Sequence, residues 1–351
     1  MKNYNIILLF TFVCYACMQQ RQLPAINSFD TAYEIMEYDS IYSSRNDKIR
    51  LLRNMIVFGN IIIAQNVTKD NYVFSFYDIN KGVFLDNWGQ IGQGPDEYIQ
   101  LGIDYTILDS QLVFLDIAKR EINYISIPDI LNKDKPLNIN RESYPYTVDF
   151  RPSTINIIKD KKIATGSFKE GRFGVLDAEN NIIDCPFDYP FHYEEVTGIY
   201  RGSVFQGRIK SNAEQSKFVI STFSSDIFEI YHVTDSGIVR AFVNHFNNAP
   251  QIKKRSGGNL DYVIDRNNSI CGLINMAVSN NLICFSYSSK NHSEAYNSGK
   301  LSNEILCFDW NGEKIKKYIL PISINDFCFD ENYIYGVRDY EDEVVIYRFK
   351  M

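Results

Sequence analysis

The feature that most restricts this chain is a two-hairpin unit that recurs along its 351 residues. The first half of the unit is an apolar run, a short polar turn and a second apolar run. It reads MIVFGNIIIAQ from Met55, TILDSQLVFLD from Thr106, INIIKDKKIATGS from Ile155, MAVSNNLICFS from Met276 and FCFDENYIYGV from Phe327. A weaker copy keeps only its second run, KFVISTF from Lys217. The turn residues Gly59-Asn60, Asp109-Ser110, Asp160-Lys161, Asn280-Asn281 and Asp330-Glu331-Asn332 are mostly types that tolerate left-handed backbone or bond their own main chain. A second pair of strands follows each copy, as in FSFYDINKGVFLDNW from Phe74 and IFEIYHVTDSGIVRAFV from Ile227. Third strands anchored near Tyr77, Ser126, Leu176, Tyr231, Phe308 and Tyr347 recur every 54 residues or so, about the period of four-stranded propeller blades and well above that of solenoids.

Six such units predict an all-β, six-bladed β-propeller with four-stranded antiparallel blades. One blade alone leaves both faces exposed, whereas radial packing buries them and protects the sheet edges. The sixth unit stops at Met351 without a fourth strand, so Tyr33 to Tyr42 is expected to supply it and close the ring. Two segments exceed the repeat, Asn247 to Ile270 and Ser288 to Ser302, and insertions of this kind map to rim loops where binding sits. The composition agrees with strands, with 24 Tyr and 24 Phe. A net charge of −7 argues against a nucleic-acid binder, which needs a basic face to neutralise phosphates.

The N-terminus reads as an export signal over residues 1–16: Lys2 is the positive end, and the apolar run that starts at Ile6 is too short to span a bilayer. Ala16-Cys17 is similar to the lipobox of bacterial lipoproteins, although Cys14 and Tyr15 depart from that pattern. Lipid on Cys17 gives a tether rather than a span, with residues 17–28 as spacer and 29–351 as the propeller domain. An ordinary signal peptide with incidental cysteines is the alternative. Five cysteines remain after Cys17, with no metal-binding spacing. Buried free thiols are expected, with a Cys284–Cys307 disulfide open if their strands are neighbours.

No sequence motif specifies a reaction. The four histidines are not spaced for a helical zinc site, and no G-x-S-x-G elbow occurs. The acidic groups Glu194-Glu195 and Asp339 to Glu343 read as solvated turns, and the aromatic stretch Tyr189 to Tyr193 reads as packing before sugar stacking. In WGQIGQGPDEY, Gly92 and Gly94 permit unusual backbone angles, and Pro95, Asp96 and Glu97 suit the first turn of a short helix. The alternative sets this loop at the channel mouth, with Gly92, Gly94, Asp96 and Glu97 meeting a ligand.

That segment resembles the glycine-rich G-x-G-P-G/D-E signature in the first blade of the TolB-like six-bladed propeller lipoproteins of Bacteroidetes. The signal, the lipobox-like cysteine, the spacer and the repeat count agree with it. The resemblance implies an exported, lipid-anchored propeller whose relatives mostly lack an assigned activity. A rigid ring that holds variable loops on one face suits a non-enzymatic binding or scaffold module of the cell envelope, with an envelope protein or glycan as partner. The MQQRQ after Cys17 lacks an acidic surface-export tag, which favours an outer-membrane anchor facing the periplasm. No cofactor is predicted, and calcium is the one ion that dispersed oxygen ligands admit. The alternative function is a metal-dependent hydrolase or lyase acting on carbohydrate or lactone at the central channel. Three or more converging Asp, Glu, Asn or His side chains there are the mark of the enzyme.

Overall fold

The polar turns set the blades. Asp109 and Ser110 take positive φ values of 47° and 64°, which is the backbone a two-residue hairpin needs. The fold comes from a computed structural model, which describes residues 25–44, 49–68, 72–134, 137–244, 248–254 and 262–351.

Six antiparallel sheets follow one another along the chain. Blade 1 comprises Ile49–Phe58, Ile61–Thr68, Tyr72–Asp78 and Val83–Ile91. Blade 2 comprises Leu101–Leu108, Gln111–Asp116, Glu121–Ser126 and Ile139–Ser143. Blade 3 runs from Phe150–Ile158 through Lys161–Phe168 and Gly174–Leu176 to Ile182–Asp184. Blade 4 runs from Gly207–Ser211 through Lys217–Thr222 and Phe228–Thr234 to Gly237–Val243. Blade 5 runs from Ile270–Val278 through Ile283–Asn291 and Ser302–Phe308 to Lys314–Ile324. Blade 6 takes Asp326–Phe329, Tyr333–Asp339 and Val344–Lys350 from the C-terminal end. All six third-strand anchors read from the sequence lie on third strands.

The fourth strand of blade 6 is Tyr38–Ser43, paired antiparallel with the last strand so that Tyr38 faces Phe349 and Asp39 faces Arg348. The Arg348 guanidinium holds both Asp39 carboxylate oxygens, at 3.1 and 2.7 Å. The other half of the predicted closing segment goes elsewhere: Ala32–Glu34 runs parallel to Lys317–Ile319 as a fifth strand of blade 5. The N-terminal segment thus sews blades 5 and 6 together. Residues 25–28, read as spacer, already dock on the fold: Ile26 is buried beside Trp310, and the Lys314 ammonium donates to the Ala25 and Ser28 carbonyls.

Each blade-to-blade contact has its own apolar cluster, and together the clusters complete a circle. Phe74 and Phe114 meet between blades 1 and 2, Leu115 and Ile155 between 2 and 3, and Phe173 and Phe218 between 3 and 4. Phe228 and Phe285 meet between blades 4 and 5, Ile305 and Phe327 between 5 and 6, and Ile346 and Leu52 between 6 and 1. A buried ion pair, Arg172 to Glu229 at 2.5 Å, crosses from blade 3 to blade 4. Cys284 and Cys307 sit directly opposite on neighbouring strands and form a disulfide, while Cys185, Cys271 and Cys328 are free thiols.

Removing residues 30–43 strips two blades of a strand at once. We expect loss of cooperative melting by circular dichroism; unchanged melting contradicts closure through this segment. Alkylation of the unfolded but unreduced protein should label Cys185, Cys271 and Cys328 and spare Cys284 and Cys307, as read by peptide mass spectrometry. Labelling of all five contradicts the disulfide.

Candidate functional site

The six inner strands converge on the axis, and the chain fills that space itself. Arg208, on the inner strand of blade 4, reaches across the ring. It donates to the Asn54 side chain of blade 1, and to Asn275 Oδ1 of blade 5 at 2.8 Å. Asp104 of blade 2 takes the Lys210 ammonium at 2.7 Å and faces the Arg208 guanidinium at 3.6 Å. Asn54 also donates to Gln65 and to the Ile103 carbonyl, at 2.6 and 2.7 Å. Its φ of 54° turns its backbone N–H onto Asp326 Oδ2 of blade 6, at 2.6 Å. Asparagine accepts this left-handed backbone more readily than most residues. Blade 3 joins weakly, through Ser211 Oγ to Asn156 Oδ1 at 3.4 Å.

Four Asn and Asp side chains therefore converge, which meets the mark set for an enzyme by number. That mark leaves cations out of account, and Arg208 and Lys210 occupy the same place. Their charges oppose those of Asp104 and Asp326, and the amides are taken by the guanidinium. Among the described residues no three His, Cys, Asp or Glu groups lie in a metal-holding arrangement. Burial pushes the Asp326 carboxyl above its ordinary range, with Arg208 and the Asn54 N–H opposing that shift. Below the network, on the opposite face, the channel opens as a vestibule of about 250 Å³ lined by Met55, Val57, Met276 and Phe329.

Larger open spaces lie away from the axis, and one is on the rim. Strands alternate in direction, so the loops joining second to third strands and those joining successive blades emerge on one face. Both over-long segments are loops of these kinds, and they meet above blades 4 and 5. There they wall a groove of about 500 Å³. Its floor is Cys271, Leu273 and Ile274, and its sides are Phe223, the strand Tyr262–Ile264 (paired in a short hairpin with Ile252–Lys254), and His292 at the head of the helix His292–Ser298. Gly272 lies in the left-handed region at φ 66°, where a side chain would collide with the Ser225 carbonyl, so the floor strand hugs blade 4. His292 Nε2 and Ser224 Oγ lie 2.9 Å apart. Burial, with the nearby Arg266, lowers the His292 pKa, so the imidazole is neutral at pH 7. Burial also pushes the Cys271 thiol up to about 11, which leaves it protonated and unreactive. No carboxylate partners His292 among the described residues. The groove presents apolar surface together with hydrogen-bonding groups.

The glycine-rich motif sits elsewhere and forms no helix. Glu97–Tyr98 pairs parallel with Gln90 and Ile91 as a fifth strand of blade 1, which places Gly92 to Glu97 at the outer rim and not at the channel mouth. The Gly94 N–H donates to the Glu97 carboxylate at 2.7 Å, and the Lys119 ammonium ties the Gly94 and Glu97 carbonyls. These bonds, with the burial of Tyr98 against Phe114, outcompete the helix that Pro95 and the acidic residues favour locally. A side chain at Gly92 would run into the folded-back Glu97 carboxylate. Asp96 is exposed and pairs with Arg141 at 3.1 Å, at the edge of a lateral groove of about 590 Å³ that includes Trp88. Tyr189 and Tyr193 pack on Phe205, as expected of packing residues. Cys17 lies outside the described residues.

A six-bladed ring with this motif defines a class. Residues 35–332 match the TolB-like 6-blade propeller-like family, and the chain belongs to it. Among solved structures, the Bacteroides fragilis protein BF0058, named as an exported protein, is similar at 17% identity and a TM-score of 0.57, over 86% of this chain and 90% of that one. A DUF4221 family member from Bacteroides vulgatus is similar at 12% identity and a TM-score of 0.55, over 86% of this chain and 93% of that one. These likenesses concern the fold. No curated protein matches the chain.

The raised Asp326 carboxyl gives a pH test. The fold holds this group protonated more tightly than the unfolded chain does. The stability it contributes is complete at acidic pH and declines as pH rises from the ordinary carboxylate range through the raised value. Asp326→Asn cannot titrate, so the wild type should lose stability relative to it in urea unfolding as pH rises above the ordinary carboxylate range of about 4. A gap that stays constant or reverses contradicts this account.

Proposed function

We propose that this chain is an exported, lipid-anchored propeller that serves as a non-enzymatic binding module of the bacterial cell envelope, facing the periplasm from the outer membrane. The observation that carries the reading is the division of space. The axis, where a propeller enzyme would work, is filled by Arg208, Lys210 and their partners. The open groove lies on the rim, where the two over-long loops meet. Lys2, the short apolar run and Ala16-Cys17 support export and lipid attachment, and the exported Bacteroides relative in fold agrees with them. Among the described residues no helix is long and apolar enough to cross a membrane.

The partner is an envelope protein or glycan that lays an apolar face on Phe223, Tyr262 and Ile264. The Gly92 to Glu97 turn serves as a rigid edge of the lateral groove, its Glu97 carboxylate spent on Gly94. A calcium ion at the axis would have to take Asn54 and Asn275 from Arg208, so neither calcium nor EDTA should shift the melting temperature.

Two measurements test the reading. Cys17→Ala should move the protein from the detergent phase to the aqueous phase on detergent-phase partitioning. Ile264→Asp should abolish retention of the partner that the intact protein captures from native envelope, while Asp96→Asn should preserve it. Turnover of a lactone or glycan that Asp104→Asn abolishes would instead establish the channel enzyme.

A further inference from the structure

Beside the apolar groove lies a cavity of a different kind. It holds about 330 Å³ and shares Leu301 with the groove as a common wall. Its lining is polar. Ser288, Ser289, Ser302 and Ser323 contribute hydroxyls, and Asn303 contributes an amide. Three cations enter it, Lys290 and Lys300 from the blade 5 insertion and Arg338 from the second strand of blade 6. The one carboxylate present, Glu304, is answered by Lys317 at 3.1 Å.

Neither Lys290, Lys300 nor Arg338 has a carboxylate partner among the described residues. The Arg338 guanidinium is half-buried over the Tyr340 ring at 4.8 Å, which fixes its plane without cancelling its charge. The Lys290 ammonium bonds the Lys300 carbonyl at 3.3 Å, which holds the two ends of the insertion together. In a chain of net charge −7, three cations without a carboxylate partner line this one cavity. A partly desolvated guanidinium without an acceptor costs free energy that an incoming oxyanion recovers, and guanidinium geometry matches a carboxylate or sulfate with two parallel bonds.

We propose that this cavity binds the anionic group of an acidic saccharide, a uronate carboxylate or a sulfate ester, and that the next sugar ring lies across Leu301 into the groove. The inference rests on the binding-module reading and narrows it to one ligand class. Ser302 and Ser323 donate their hydroxyl hydrogens to the Tyr287 and Ser302 carbonyls, and Asn303 donates to the Leu320 carbonyl, so their oxygens face the cavity as acceptors. Such acceptors favour a saccharide over an acidic peptide, because ring hydroxyls donate to them and carboxylates do not. The adjoining Phe223 and Tyr262 offer ring faces on which the C–H side of a sugar rests.

The test is calorimetric titration of the intact protein with four probes: an oligogalacturonate, a chondroitin sulfate oligosaccharide, a neutral cello-oligosaccharide and a hexaglutamate peptide. At least one acidic saccharide should bind, with affinity falling as salt rises from about 50 to about 300 mM. The neutral oligosaccharide and the peptide should not bind. Arg338→Gln should weaken binding by about tenfold or more. Lys300→Gln, at an exposed position where folding is not at stake, should weaken it in the same direction. The inference is overturned if no acidic saccharide binds, if hexaglutamate binds as well, or if neither substitution changes the affinity. If the saccharides fail while capture of an envelope partner still depends on Ile264, this inference falls and the binding-module reading stands. If Ile264→Asp also leaves capture unchanged, both fall.

Discussion

Ring closure is the constraint on which the rest of this structure depends. A four-stranded sheet with two apolar faces is stable only between neighbours, so six sheets form a stable object only when the last meets the first. The chain achieves this by lending its N-terminal residues to its C-terminal blades. Tyr38–Ser43 completes blade 6, and Ala32–Glu34 extends blade 5. The cluster joining Leu52 of blade 1 to Ile346 of blade 6 then brings together residues from opposite ends of the sequence. The bidentate Arg348–Asp39 pair lies on this seam and pins the register that sets those apolar residues facing inward.

Closure creates an axis, and the treatment of that axis decides where function resides. Inner strands brought close together expose backbone and side chains to a narrow, poorly solvated channel. The chain meets that cost with a charged network of its own, in which two cations from blade 4 satisfy groups from blades 1, 2 and 5. Removing one member of such a network costs about 3–5 kcal/mol, because the remaining charges stay buried and unanswered. The axis is thereby tied to stability. The rim carries the open groove, where one blade-to-blade connection and one second-to-third-strand loop are longer than the repeat requires, and the proposed binding role is placed there.

The architecture was legible because it is periodic. Strand count, third-strand anchors, turns and the closing segment all follow from a pattern repeated often enough to cancel local ambiguity. The loops that wall the rim groove were legible too, as departures from that period. The axial network was not. Asn54, Asp104, Arg208, Asn275 and Asp326 are single polar residues on five strands, and nothing local marks them as neighbours. The helix expected after Gly94 shows the converse failure. Pro95, Asp96 and Glu97 favour a helical turn locally, but Tyr98 gains more by burial beside Phe114, and Glu97 by folding back onto Gly94. Cys284 and Cys307 needed only the knowledge that their strands are adjacent, which the register supplies.

The most direct test of a ring sewn together by its own terminus is native-state hydrogen exchange of the intact protein, followed by mass spectrometry. Peptides covering residues 38–43 should exchange as slowly as those covering 344–350, and both should open only with global unfolding. Rapid exchange at 38–43 beside slow exchange in the other blades would mean that the ring holds without this strand, and closure through the N-terminal segment would be wrong.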